Sequence, residues 1–117
     1  MTRFLLAASL TVLLAAPAMA QRSGIYAVEG VTPGGARYAG AVQFQATGPL
    51  TWRITWTIAG TVTNGTALTA GPVLLVGYMT EGQPGTGFYE VQPDGRLLGR
   101  WTQGVQGGVG TETLTPR

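Results

Sequence analysis

The run Leu50-Thr51-Trp52-Arg53-Ile54-Thr55-Trp56-Thr57-Ile58 alternates strictly between large apolar and polar side chains. A period of two is the spacing of a β-strand, in which successive side chains point to opposite faces of the sheet. The segment before it, residues 37–45, repeats the alternation, with Tyr38, Gly40, Val42 and Phe44 on one face. Both segments therefore predict half-buried antiparallel strands.

Six more strands are predicted around these two, at residues 24–28, 61–69, 73–79, 87–92, 96–101 and 109–114. Proline and glycine mark the turns at residues 32–35, 47–49, 70–72, 83–85 and 93–95, because proline presets φ and glycine accepts a positive φ. Asn64-Gly65 is a strong hairpin signal, but a turn there would make the preceding strand unusually long. We therefore predict the turn at Ala59-Gly60 and a bulge or close-packing point at Asn64-Gly65, with the reverse assignment left open.

The composition also favours β structure. The chain has 19 glycines and is rich in threonine and valine, all of which disfavour a helix. Closing a meander into a barrel removes exposed strand edges, and the mid-strand glycines Gly40, Gly77, Gly99 and Gly110 suit a tightly coiled sheet. The sequence thus predicts an all-β fold, a small up-and-down antiparallel β-barrel of about eight strands, formed by residues 21–117 as a single domain.

Residues 1–20 have the features of a bacterial signal peptide. Arg3 precedes an apolar run from Phe4 to Ala16, and Ala18-Met19-Ala20 has the small-x-small pattern of a cleavage site. The run is shorter than the ~20 residues that span a membrane. We therefore expect an exported protein of the periplasm or extracellular medium, with no membrane span in the mature chain.

The residues after position 20 lack most of the side chains that perform catalysis. They include no His, Cys or Lys, and Ser23 is their one serine. A serine nucleophile needs a neighbouring base, and Cys and His are the usual zinc ligands. We therefore expect no enzyme activity, no cofactor and no metal site.

The charge of residues 21–117 is low. Six scattered arginines against five acids give these residues a net charge of +1. Nucleic-acid binding needs a concentrated basic face, so nucleic acid is not an expected partner.

Glu112 is an acidic residue whose position predicts burial, since alternation places it on one face with Gly110 and Leu114. A buried carboxylate must be paired or hydrogen-bonded. Arg53 and Arg100 are the candidate partners, although their own alternation turns both outward. Glu112 is then either part of a structural ion pair or backbone clamp near barrel closure, or a ligand-orienting acid inside a cavity.

Large aromatic side chains are predicted to face the barrel interior: Tyr26, Tyr38, Phe44, Trp52, Trp56, Tyr89 and Trp101. The favoured interpretation is a filled core, because side chains just fill a small eight-stranded barrel. The alternative is an apolar pocket with a few polar groups. Its candidate ligand-binding residues are Tyr38, Trp52, Trp56, Trp101 and Glu112.

Two segments carry a resemblance to known families. The first is Gly24-Ile25-Tyr26-x-Val28-x-Gly30; the second is Asp94-Gly95-Arg96-Leu97-x-Gly99-x-Trp101, which Gly-Thr-Glu-Thr-Leu-Thr-Pro follows at 110–116. Together they resemble short exported bacterial proteins described as fibronectin-binding-like, which implies adhesion to host or matrix proteins. The glycine and aromatic spacings also resemble avidin-like and lipocalin-like barrels, which implies a small ligand inside.

Two main hypotheses follow for the function. The first is an exported, non-enzymatic, adhesin-like module that recognises proteins such as fibronectin through Phe88, Leu98 and the loops. The alternative is a carrier of a small apolar ligand inside the barrel. A third hypothesis is a passive envelope protein without a ligand. A cavity of a few hundred Å³ would favour the carrier, and a solid core would leave only surface recognition.

Overall fold

The computed structural model describes residues 23–117, so the predicted signal peptide lies outside the described residues. Eight antiparallel strands form a closed barrel in which each strand pairs with the next and β8 pairs with β1. The strands are β1 (Gly24–Val31), β2 (Arg37–Ala46), β3 (Thr51–Ile58), β4 (Thr61–Ala70), β5 (Val73–Thr80), β6 (Gln83–Val91), β7 (Leu97–Gln103) and β8 (Gly110–Pro116). The predicted all-β barrel of eight strands is confirmed.

The β3–β4 turn lies at Ala59-Gly60, the position predicted from the length of the preceding strand. Ala59 and Gly60 adopt φ angles of 51° and 80°, the left-handed conformation that a tight hairpin requires. Asn64 and Gly65 lie inside β4, where Gly65 pairs with Ile54. A Cβ on Gly65 would lie 2.6 Å from the carbonyl oxygen of Gly77. The prediction of close packing at this glycine is therefore confirmed.

The predicted turn at residues 83–85 is wrong. The chain reverses earlier, at Glu81 and Gly82, whose φ angles are 51° and 77°. β6 then begins at Gln83, and Pro84 pairs with Met79. Proline is tolerated at the start of a strand because few ladder hydrogen bonds need its missing N–H there. Glycine after an acidic residue proves the better turn signal than the proline.

One end of the barrel, which we call the closed end, carries the β2–β3, β4–β5 and β6–β7 turns. Phe44 makes edge-to-face contacts there with Tyr26, at 5.3 Å between ring centroids, and with Trp52, at 6.2 Å. Burial of each such side chain stabilises the fold by about 1.5–3 kcal/mol. The buried side chains toward this end include Tyr26, Phe44, Trp52, Ile54, Leu74, Leu97 and Leu114.

Mid-strand glycines make room for the inward aromatic rings. A Cβ on Gly99 would lie 2.4 Å from Tyr89, and one on Gly110 would lie 2.3 Å from Trp101. Both rings therefore occupy the space that a side chain at the glycine would take. Gly77 differs, because a Cβ there would meet no atom within 4 Å. The glycines thus determine which rings can lie against the barrel wall.

Candidate functional site

The other end of the barrel, which we call the open end, holds a cavity of about 300 Å³. Its lining includes residues at or beside strand ends, namely Thr32, Ile58, Thr80 and Gln103. The cavity therefore opens between the β1–β2, β3–β4, β5–β6 and β7–β8 connections. Sites for small molecules measure ~300–1,000 Å³, so this space fits a compact ligand.

Aromatic rings from five strands form much of the cavity wall: Tyr38, Trp56, Tyr78, Tyr89 and Trp101. Tyr38 on β2 and Trp101 on β7 meet across two intervening strands, with ring centroids 6.3 Å apart. Trp56 and Tyr78 form a second aromatic pair, with tilted rings whose centroids are 5.6 Å apart. The wall is mostly apolar surface with polar atoms at the tips of the rings.

Glu112 lies in this wall and is 7% exposed, the buried charged residue of the described chain. Its Oε1 accepts a hydrogen bond from the Tyr38 hydroxyl at 2.7 Å. Its Oε2 accepts from the Tyr89 hydroxyl and from Trp56 Nε1, the latter at 3.2 Å. The predicted inward direction of Glu112 is confirmed, and the acid on β8 connects β2, β3 and β6, none of which pairs with β8.

The two tyrosine hydroxyls have a defined direction. Trp101 Nε1 donates to the Tyr38 oxygen at 3.0 Å, and Trp56 Nε1 shares its single hydrogen between the Tyr89 oxygen and Glu112 Oε2, both at 3.2 Å. An indole N–H is a donor only, so each tyrosine oxygen accepts from an indole and sends its own hydrogen to Glu112. Both carboxyl oxygens are then acceptors, which is the role of the ionised form.

The prediction of an arginine partner for Glu112 is wrong. The ion pair found within residues 23–117 joins Arg96 to Asp94 at 2.8 Å on the surface. Arg53 and Arg100 are both exposed, because the alternation of their strands turns their side chains outward. Neutral hydrogen-bond donors take the place of the expected cation.

Burial and the carboxylate keep the tyrosines of the cavity protonated. Desolvation, followed by the charge of Glu112, raises the pKa of Tyr38 and of Tyr89 well above the ordinary value of 10.0. The same two causes raise the pKa of Tyr78 to about 12. At neutral pH these three side chains are therefore neutral donors.

Four of the five predicted ligand-binding residues come together at the cavity: Tyr38, Trp56, Trp101 and Glu112. Trp52 does not join them. It lies toward the closed end, where its Nε1 donates to Thr69 Oγ1 at 2.9 Å. Trp56 lies four positions after Trp52 along an extended strand, a rise of about 13 Å, so the two indoles share a face of β3 but not a site.

Tyr78 lines the cavity, although the set of inward aromatic residues predicted from the sequence does not include it. Its hydroxyl donates to the carbonyl oxygen of Thr102 at 2.9 Å. The sequence signal for Tyr78 is the alternation in β5, which places it on the same face as Leu74 and Val76. Both of those side chains are buried in the structure.

The outer wall carries some exposed apolar side chains. Leu68 pairs with Leu75, and Leu75 with Phe88, so the three lie side by side across β4, β5 and β6. Leu98 is 37% exposed, and Phe88 is half-buried.

Two other kinds of feature are absent from residues 23–117. No helix there is long and apolar enough to cross a membrane, and no three acidic, His or Cys residues lie together as a metal site would need.

The sequence matches no protein-family model and no curated protein. Solved structures resemble it at 15–18% identity. A redesigned β-barrel matches with a TM-score of 0.68 over 81% of this chain and 90% of its own. The redesigned barrel mFAP1, bound to DFHBI, gives 0.67 over 81% and 94%. A de novo designed fluorescence-activating barrel gives 0.63 over 86% and 97%. At these identities the similarity establishes the fold that is shared, a small β-barrel.

Proposed function

We propose that this chain is an exported, non-catalytic binding protein that holds a small, mainly apolar ligand in the open-end cavity. The observation that carries the proposal is a space of about 300 Å³ with an aromatic wall and one buried carboxylate. Small-molecule sites combine an apolar wall with a few convergent polar groups in this way. The bound DFHBI of mFAP1, a barrel of similar fold, is a further support.

The polar groups of the cavity support binding rather than catalysis. General base catalysis needs a group that is free to take a proton from the substrate. Three donors already hold the Glu112 carboxylate against the barrel wall and leave it one acceptor position, on Oε1, and the tyrosines beside it have raised pKa values. Within the described residues, the cavity thus offers recognition groups that are fixed by one another.

The test is a titration of the purified protein with DFHBI and a panel of compact apolar dyes, followed by intrinsic tryptophan fluorescence and thermal unfolding. A ligand that binds the folded barrel raises the melting temperature with concentration. The Trp52→Phe variant removes the indole that lies away from the cavity, so the remaining signal comes from Trp56 and Trp101. We expect that variant to retain the ligand-dependent change.

A matched pair of variants on β4 locates the binding site. Thr63 lines the cavity, whereas Thr66 on the same strand is exposed on the outer face. Thr63→Phe should fill the cavity and abolish binding, and Thr66→Phe should leave it unchanged. Equal binding by both variants would place the ligand elsewhere, and the absence of any saturable binder of suitable size would refute the carrier function.

Recognition of a host or matrix protein such as fibronectin is the second candidate. The observation that favours it is the adjacent set Leu68, Leu75 and Phe88 on the outer wall, since exposed apolar side chains that cluster can mark a contact surface. Immobilised fibronectin and other matrix proteins, assayed over a range of salt, test it. Binding that Leu75→Ser abolishes would support this function, and no retention on any of them would remove it.

A further inference from the structure

We infer that the ligand of the open-end cavity is an organic cation, an ammonium group on a small aromatic or branched apolar body. The inference rests on the proposed function, because it names the ligand class of the same cavity. Three features carry it: a buried carboxylate that no cation neutralises, five aromatic wall residues whose N–H and O–H donors are all in use, and the rings of those residues around the free space.

The charge of Glu112 has no cationic partner among residues 23–117, where the ion pair is that of Arg96 with Asp94. The sequence contains no lysine and no histidine that could supply one. Arg100 contributes to the cavity lining, but its side chain is exposed, on the opposite face of β7 from Trp101. A buried charge is stabilised best by an opposite charge together with hydrogen bonds, and only the hydrogen bonds are present in the chain.

The donors of the aromatic wall are committed. Tyr38 and Tyr89 donate to Glu112, and Tyr78 donates to the carbonyl of Thr102. The N–H groups of Trp56 and Trp101 donate to the tyrosine oxygens. An anionic ligand would therefore find no free hydrogen-bond donor on these five side chains, and it would face the charge of Glu112.

Acceptor capacity, by contrast, remains. A carboxylate has about four lone-pair positions. Tyr38 occupies one on Oε1, and Tyr89 and Trp56 occupy two on Oε2. One position on Oε1 is left for a donor from a ligand, and the negative charge is available to any cation that enters the cavity.

The rings complete a cation site. An ammonium group is attracted to the face of Trp or Tyr within about 6 Å of the ring centroid, and the attraction grows when water is excluded. In the edge-to-face pair Tyr38–Trp101 the ring planes meet at 65°, and in the tilted pair Trp56–Tyr78 they meet at 60°, so the rings of each pair face different directions. A cation with an apolar body can therefore contact rings and carboxylate together, which a neutral ligand of the same shape can do only in part.

Two compounds of nearly identical shape test the inference on the unmodified protein. Benzyltrimethylammonium and neopentylbenzene differ only by a quaternary nitrogen in place of a carbon, and benzoate serves as the anion. The dissociation constants come from displacement of a dye found to bind in the cavity and from the shift in melting temperature. We expect the cation to bind well over tenfold more tightly than its neutral analogue, because one desolvated cation–π contact alone would give about tenfold and the charge of Glu112 adds to it. We expect benzoate to bind most weakly.

A matched pair of charge-removing variants assigns the preference to Glu112. Glu112→Gln keeps the size of the side chain and removes its charge, so the ratio between the cation and neopentylbenzene should fall by about tenfold. Glu90→Gln removes the same charge from the exposed face of β6 and should keep the ratio of the unmodified protein. Circular dichroism and thermal unfolding check that both variants fold, and the ratio measured on the unmodified protein stands without them.

The outcomes separate this inference from the proposed function. If neopentylbenzene or benzoate binds as tightly as the cation, or if apolar dyes bind and benzyltrimethylammonium does not, the cation inference is overturned and the carrier function stands. If neither dyes nor these compounds bind, the carrier function fails and the inference falls with it. A cation preference that Glu112→Gln leaves intact would also overturn the inference.

Discussion

The two ends of this barrel use the same kinds of side chain to opposite effect. At the closed end, Phe44 packs directly against Tyr26 and Trp52, and the rings fill the interior. At the open end, the tips of Tyr38 and Tyr89 are tied to Glu112 on the barrel wall. Those hydrogen bonds hold the polar tips of the two rings at the wall, although the Tyr89 ring also makes an edge-to-face contact with Phe44 at 6.3 Å between centroids. The same kind of aromatic side chain therefore fills the interior at one end and lines a cavity at the other, where its polar tip is anchored to the wall.

The largest difference between the ends should appear when packed bulk is removed. Phe44 is 1% exposed, and Phe44→Ala should lower the free energy of unfolding by about 3–5 kcal/mol, through lost burial and the void left behind. Denaturant unfolding measures the change. A cost below about 1 kcal/mol, the size expected for a tolerated core change, would mean that the closed end is not tightly packed.

Glycine substitutions should separate inward from outward positions. Gly99→Ala places a methyl group 2.4 Å from the Tyr89 ring, so we expect a loss of about 1–3 kcal/mol from overpacking. Gly77→Ala meets nothing within 4 Å and should stabilise the strand by about 0.5–1 kcal/mol through reduced chain entropy. Thermal unfolding of the two variants checks both signs, and equal effects would contradict the assignment of the two faces.

A smaller effect is expected at the open end. Tyr78→Phe keeps the ring and removes the hydrogen bond to the Thr102 carbonyl, which should lower stability by about 0.5–1.5 kcal/mol. Ligand affinity should change little, because the hydroxyl of Tyr78 is already committed within the protein. Calorimetric titration beside denaturant unfolding measures both quantities, and a large loss of affinity would assign that hydroxyl to the ligand.

The tyrosines of the open end should make the free energy of unfolding depend on pH in the unmodified protein. The effect is confined to alkaline pH and is absent near neutrality. The folded-state pKa values of Tyr38, Tyr78 and Tyr89 are raised above 10.0, so the folded state retains protons that the unfolded state releases. This stability is fully present below pH 10 and is lost as the pH rises toward the folded values, about 12 for Tyr78. Denaturant unfolding at stepwise alkaline pH should show the decline, and the Tyr78→Phe variant should show a shallower one.

The alternation of side chains in the sequence predicts the strands, the barrel and most of the inward residues, because a period of two determines the face on which a side chain lies. It does not determine height along the barrel, and for this reason Trp52 was grouped with Trp56. The partners of Glu112 could not be predicted either. Tyr38 lies 74 residues away from it, and that contact depends on the register of every intervening strand.

The positions at which β1 begins and β8 ends determine how the barrel can be attached to another molecule. β1 begins and β8 ends at the closed end, where the N–H of Arg117 donates to the carbonyl oxygen of Ile25 at 3.0 Å. A fusion partner or surface linker joined before Gly24 or after Arg117 would therefore leave from the side opposite the cavity mouth. The barrel could be immobilised or displayed through either terminus with its entrance facing the solution.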